Sequence, residues 1–218
     1  MKIYCFSGLG ADERVFDFLE IDSNYELVPV KWIDPLLNES IEDYSLRISK
    51  NIMDENPFGI LGVSFGGLVA QEVSKVLNSK FTFVISSISK PSEIPFLLRF
   101  IPNIFFKILP KKFFCLPHFM ANFFFSANNK KLLSQILRDA NPNFTKWALI
   151  AFKNWKSQNV LLNVFFISGS KDRLIKPVKG AVNIPNGGHF MIVDSAGEVS
   201  SRINDLLNQI NQEVETNL

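Results

Sequence analysis

The stretch PFGILGVSFGGLVAQEVSKVL places a short apolar run, Phe58 to Val63, directly ahead of Ser64, and apolar residues then recur at helical spacing at Leu68, Val69, Val73, Val76 and Leu77. That order reads as strand, turn, helix, with a serine at the corner. The fixed letters Gly62, Ser64 and Gly66 constrain little by themselves, because Gly and Ser at about 7% each would produce them by accident in about one chain in fifteen of this length. Their context constrains much more. A strand that stops abruptly and a helix that begins at once throw one side chain into a strained, exposed position above the sheet edge. Glycines at 62 and 66 let the strand and the helix close on that turn. Neither G-x-G-x-x-G nor a Gly-Lys-Ser/Thr ending is present, which leaves a plain structural turn as the alternative.

The same rhythm of strand and loop runs through most of the chain. Lys2 to Phe6 reads as a strand followed by the glycine-rich loop SGLGADERVF, and YELVPVKWI reads as a second strand broken by Pro29. Ser40, with Asp43 three residues on, caps a helix through Ile41, Tyr44, Ile48 and Ile52. After the Ser64 turn come KFTFVISSIS, then VLLNVFFISGSKD and GAVNIPNGGHF, and finally an amphipathic helix in SAGEVSSRINDLLNQINQEV. Strands this continuously apolar predict a parallel sheet covered on both faces.

Between Lys90 and Asn159 the strand alternation ceases. Ten phenylalanines lie between Phe96 and Phe125, and NFTKWALIAFKNWK repeats Phe144, Trp147, Ala148, Ala151, Phe152 and Trp155 at three- and four-residue intervals. A segment this long is seldom structureless, so a helical insertion with a second apolar cluster is expected. Most of its aromatics are expected to pack, and the remainder to line a pocket. Arg99, Lys107, Lys111 and Lys112 interrupt the Phe-rich stretch. They read as the solvated face of the insertion in preference to a basic surface resting on anionic lipid.

With 218 residues the chain suits one domain carrying an insertion. A net charge of +2 gives no reason to expect nucleic acid or a strongly acidic partner. Two cysteines, Cys5 and Cys115, make no disulfide framework. No apolar run is long enough to span a membrane, and the N-terminus lacks a signal-peptide pattern, so a cytoplasmic location is expected.

A serine hydroxyl needs a base to take its proton and a third group to hold that base. The chain has two histidines. His189, in NGGHF, follows a strand and therefore comes to the sheet edge where Ser64 is exposed, whereas His118, in LPHFM, lies within the insertion. Asp172 likewise follows the apolar run VFFISG, although Lys171 and Arg173 beside it allow an ordinary surface ion pair. Glu93, after the preceding strand, is the second choice of acid. The order Ser64, Asp172, His189 matches one known arrangement. A tetrahedral intermediate also needs amide donors. The amide of Phe65, at the helix start, is one, and that of Leu9, between Gly8 and Gly10 in FSGLG, is the other.

By GVSFGG as nucleophile elbow, SGLG as oxyanion loop, SGSKD as acid loop and NGGHF as histidine loop, the chain resembles the α/β-hydrolase superfamily. The resemblance covers most of the chain outside the insertion. It implies an α/β-hydrolase fold of about six mostly parallel strands flanked by helices, residues 1–89 and 160–218 forming the core and 90–159 a helical cap. It implies Ser64 as nucleophile, Asp172 as acid and His189 as base, with Leu9 and Phe65 supplying the oxyanion amides. Two departures stand out. The chain opens at what the family would count as its third strand, and Ser7 precedes Gly8 where members often carry His-Gly.

The expected protein is a serine hydrolase cleaving an ester or thioester of a small apolar or acyl substrate, with Phe105 and Phe106 of the cap binding the apolar part. No metal or organic cofactor is implied, and the oligomeric state is left open. Two other readings stay open beside it: a lyase-type enzyme on the same scaffold and a non-catalytic binder of a small ligand.

Overall fold

Along β1 (Lys2–Phe6) successive side chains point to opposite sides, and both sides are buried. Ile3 and Cys5 enter one apolar cluster, Tyr4 and Phe6 the other. The computed structural model describes residues 1–52, 56–108, 124–156 and 163–216. Within them β1 belongs to a six-stranded sheet with β2 (Glu26–Pro29), β3 (Gly59–Val63), β4 (Phe81–Ile85), β5 (Val164–Gly169) and β6 (Val182–Ile184). The order is β2-β1-β3-β4-β5-β6, and every neighbouring pair is parallel, as the continuously apolar strands predicted. Pro29 ends the β2 ladder on an edge strand, the position in a sheet where proline is tolerated.

The chain steps from β1 out to β2 and then back across β1 to β3. The reversal opens a crevice at the carboxyl ends of β1 and β3, where open α/β sheets take their ligands. The loop after β1 and the turn at Ser64 border that crevice.

Helices α1 (Ile41–Ile48) and α2 (Phe65–Leu77) cover one face, burying Ile41, Tyr44, Ile48, Leu68, Val69 and Val73. Ser40 caps α1 as expected: its Oγ accepts from the Asp43 amide at 3.0 Å and lies 2.8 Å from Asp43 Oδ2. In a full capping box the third residue reaches back to the cap's backbone N–H. The short Asp43 side chain instead meets the Ser40 hydroxyl.

Between β4 and β5 the described residues form α3 (Phe96–Phe100), α4 (Asn103–Ile108), α5 (Lys130–Asp139) and α6 (Pro142–Asn154). The expected separate apolar cluster is not what these helices build. Phe144, Ala148, Ala151 and Phe152 of α6 join the cluster under α1 and α2, while Leu133 and Ile136 of α5 join the opposite one. Short helices gain their stability from an apolar face laid on existing core, and here the rim of the sheet supplies it. On α3 and α4, Phe96, Phe100 and Phe105 remain exposed. After β6 come α7 (Met191–Asp194) and α8 (Ala196–Thr216). The latter covers the second face with Val199, Ile203, Leu206, Leu207 and Ile210. Among the described residues no helix is long and apolar enough to cross a membrane. Cys115, His118, Lys111 and Lys112 lie outside the described residues.

Candidate active site

Strand β3 ends at Val63, and the next residue turns the chain through φ 54°, ψ −118° before α2 begins. This is the left-handed half of backbone space, which costs a non-glycine residue of order 1–3 kcal/mol unless its surroundings hold it. Two hydrogen bonds hold Ser64 there: its amide donates to the Ile85 carbonyl of β4 and its carbonyl accepts from the Gly67 amide, both at 2.9 Å. The flanking glycines are required by contact. A Cβ on Gly62 would sit 2.3 Å from the Gly66 oxygen, and one on Gly66 would sit 2.2 Å from the Ser7 oxygen. The turn therefore stays closed, and the Ser64 side chain stays half-buried at the sheet edge.

His189 and Asp172 reach that edge from the loops after β6 and β5. His189 Nε2 lies 2.9 Å from Ser64 Oγ, and His189 Nδ1 lies 2.8 Å from Asp172 Oδ2. The carboxylate's other oxygen accepts from the amides of Leu174 and Ile175, each at 2.9 Å. Both side chains are almost wholly buried, His189 at 4% and Asp172 at 2% exposure. An ionised carboxylate carries no proton, so the Nδ1 position bears the hydrogen and Nε2 is left as the acceptor for the serine O–H. His189 thus meets Ser64 through one ring nitrogen and Asp172 through the other. Glu93, the second choice of acid, is engaged elsewhere, accepting from the Ser89 amide at 2.7 Å and the Ser89 hydroxyl at 2.9 Å.

The two loops are joined to each other. A Cβ on Gly169 would lie 2.3 Å from the Gly187 oxygen, and the Lys171 amide donates to that same oxygen at 2.8 Å. The glycines of SGSKD and NGGHF are thus the condition for Asp172 and His189 to stand side by side.

Among the described residues, neither the Leu9 nor the Phe65 amide donates to another group. The loop after β1 comes within 3.4 Å of Ser64 Cβ at the position a Gly8 Cβ would take. The Leu9 side chain packs into the cluster below, which fixes the loop while leaving its amide uncommitted.

Phe125 was indistinguishable in sequence from the other phenylalanines of the insertion. Its ring stands edge-on to the His189 imidazole, centroids 5.3 Å apart, and its carbonyl accepts from the Phe190 amide at 3.1 Å. Nothing in its spacing singled it out. Phe105 is 56% exposed on α4. The side chain of Phe106 lies outside the described residues. Among the described residues no group of three His, Cys, Asp or Glu side chains converges as a metal site.

No family model and no curated protein sequence matches the chain. Solved structures do. A thermophilic esterase from Thermogutta terrifontis, solved with malate bound, is similar with a TM-score of 0.71 at 13% identity, over 96% of this chain and 90% of that one. The chain has the α/β-hydrolase fold. Two further proteins of that fold show how widely it is matched. A variant of an N-acyl homoserine lactonase, solved with N-hexanoyl homoserine lactone, gives 0.71 at 13% identity over 97% of this chain and 91% of its own. A thioesterase from the prodiginine pathway of Streptomyces coelicolor gives 0.65 at 15% identity, covering 94% and 89%. In the hydrolase fold the six parallel strands carry Ser64, Asp172 and His189 on separate loops at one edge of the sheet.

Proposed function

We propose that the protein is a serine hydrolase that cleaves an ester or thioester of a small apolar or acyl substrate through an acyl-enzyme on Ser64. The observation that carries this reading is the unbroken hydrogen-bonded line from Asp172 through His189 to Ser64, ending on a residue held at φ 54°. Ser64 Oγ attacks the acyl carbon while His189 Nε2 takes its proton, and Asp172 stabilises the resulting imidazolium. The amides of Leu9 and Phe65 receive the developing oxyanion. Collapse expels the alcohol or thiol, which leaves with the proton from His189. A water, deprotonated by the same imidazole, then attacks the acyl-enzyme and frees the acid and Ser64.

Residues 90–159 act in this reading as a helical cap whose aromatic lining favours an acyl or other apolar group over a sugar or phosphate. Phe125 of this segment stands against His189. The esterase, lactonase and thioesterase that share the fold support acyl transfer to water as the reaction class.

The test is labelling with a fluorophosphonate, with the modified residue located by peptide mass spectrometry, beside turnover of p-nitrophenyl esters and acyl thioesters. Label on Ser64 with ester or thioester turnover is expected. An unlabelled protein that turns over neither class would overturn the reading.

A further inference from the structure

Resting on the serine-hydrolase reading, we propose that Ser7 and Trp32 are positioning residues that set the oxyanion hole, one hydroxyl and one indole fixing the spacing of its two amides.

Ser7 is 4% exposed and lies just past the end of β1. Its Oγ donates to the Ala11 carbonyl at 2.8 Å and accepts from Trp32 Nε1 at 2.9 Å. The Ala11 amide in turn donates to the Gly8 carbonyl at 3.0 Å. The hydroxyl therefore fastens the far end of the turn that contains Leu9, and the orientation of the Leu9 amide follows from it. A buried hydroxyl with both a donor and an acceptor partner has no rotational freedom left to give the loop.

Trp32 also meets the side chain of the residue that bears the second amide. Its ring lies 5.9 Å from that of Phe65, the residue after Ser64, and 5.9 Å from that of Phe6, at the end of β1. Its ring also lies tilted against that of Phe144 of the insertion, centroids 5.1 Å apart. The backbone of Ser7 already lies against α2, as the Cβ position of Gly66 shows. Thus the loop bearing Leu9 and the helix start bearing Phe65 touch at the backbone and are tied together by one indole. Ser7 is short enough to sit under the loop and be gripped by a neighbouring ring.

The experiment measures kcat and KM for p-nitrophenyl butyrate, and the affinity for butylboronic acid, in wild type, Ser7→Ala, Trp32→Phe and the double variant. The boronate accepts Ser64 Oγ and presents a tetrahedral oxygen to the hole, so it reports the hole and not the ground-state pocket. Loss of a whole oxyanion donor costs about a hundredfold or more, and a displaced donor is expected to cost about tenfold in kcat. KM is expected to stay near wild type, boronate affinity to fall by the same factor as kcat, and the double variant to be no worse than the poorer single one. The pH midpoint of kcat should not move, because His189 and Asp172 are untouched.

Unchanged kcat in Ser7→Ala and Trp32→Phe overturns the proposal, as does a loss confined to KM, or a lower kcat with wild-type boronate affinity. If Ser7→Ala does not fold, Trp32→Phe decides alone, since it keeps an aromatic ring and deletes the donor. Wild type unlabelled at Ser64 by fluorophosphonate, and without ester or thioester turnover, would remove the reading beneath; a labelled wild type with unaffected variants removes only this inference.

Discussion

His189 Nε2 and Ser64 Oγ stand 2.9 Å apart although 125 positions separate them along the chain. The distance is within hydrogen-bond range, so proton transfer between them needs no rearrangement of either loop.

Replacing Ser64 with alanine is expected to abolish turnover down to a residue of about a thousandfold over water, the level that binding and oxyanion donors sustain without a nucleophile. Fluorophosphonate labelling disappears with it. Ser64→Gly is expected to be equally inactive yet more stable than Ser64→Ala by about 1 kcal/mol, because glycine accepts φ 54° without strain. Chemical denaturation of the two variants measures this, and an alanine variant more stable than the glycine one would contradict the strain assigned to the turn.

Asp172→Asn leaves the shape of the site and removes the charge that keeps the proton on His189 Nδ1. A fall of about ten-thousandfold in kcat is expected at neutral pH. His189→Ala should be inactive and His118→Ala active; the reverse pattern would move the site.

Glu39 is held by the Arg47 guanidinium, which with the Leu36 amide draws its carboxyl below the usual range. A carboxyl with a lower value folded than unfolded stabilises the protein above the unfolded value, and that contribution is lost as pH falls through the folded one. Arg47→Met is therefore expected to lower the melting temperature at neutral pH, with the difference from wild type shrinking in acid. A difference constant across that range would show that Arg47 acts through packing alone.

Glu72 is buried beneath α6, where its Oε1 accepts from Trp155 Nε1 at 2.8 Å and from Lys75 Nζ at 2.7 Å. Trp155→Phe keeps most of the apolar volume and deletes one donor to a buried carboxylate. A loss of about 1–3 kcal/mol in unfolding free energy is expected. Wild-type stability would show that this contact contributes nothing.

Phe125→Ala is expected to reduce turnover of long-chain esters more than of acetate esters, since only the former extend over an aromatic surface beside His189. Phe105→Ala, made in parallel on the exposed face of α4, is expected to show the smaller discrimination between chain lengths. Equal losses on both esters in Phe125→Ala would assign that ring to holding the histidine loop.

The sheet, its parallel sense and the meeting of Ser64, Asp172 and His189 were legible because each rests on a short local signal: an apolar run, a glycine pair, a polar residue just past a strand. The destination of the insertion helices was not. The three- and four-residue spacing of Phe144, Ala148, Ala151 and Phe152 fixes a helical face, but not which surface it meets. Phe125 and Trp32 were hidden for the same reason, since an aromatic's role depends on a partner distant in sequence. Ser7 was visible as a departure from a pattern, while the indole that gives the departure its meaning lies 25 residues away.

Asp172 and His189 belong to loops sharing the Gly169–Gly187 contact and the bond from the Lys171 amide, and the middle of the insertion meets the same assembly through Phe125 and the Phe190 amide. Ser64 is anchored separately, through Ile85 and the first turn of α2. The two anchorages meet at the 2.9 Å contact between His189 Nε2 and Ser64 Oγ. The insertion touches both anchorages, through Phe125 at His189 and through Phe144 at Phe65 beside the serine, so a displacement of its helices would strain the two together.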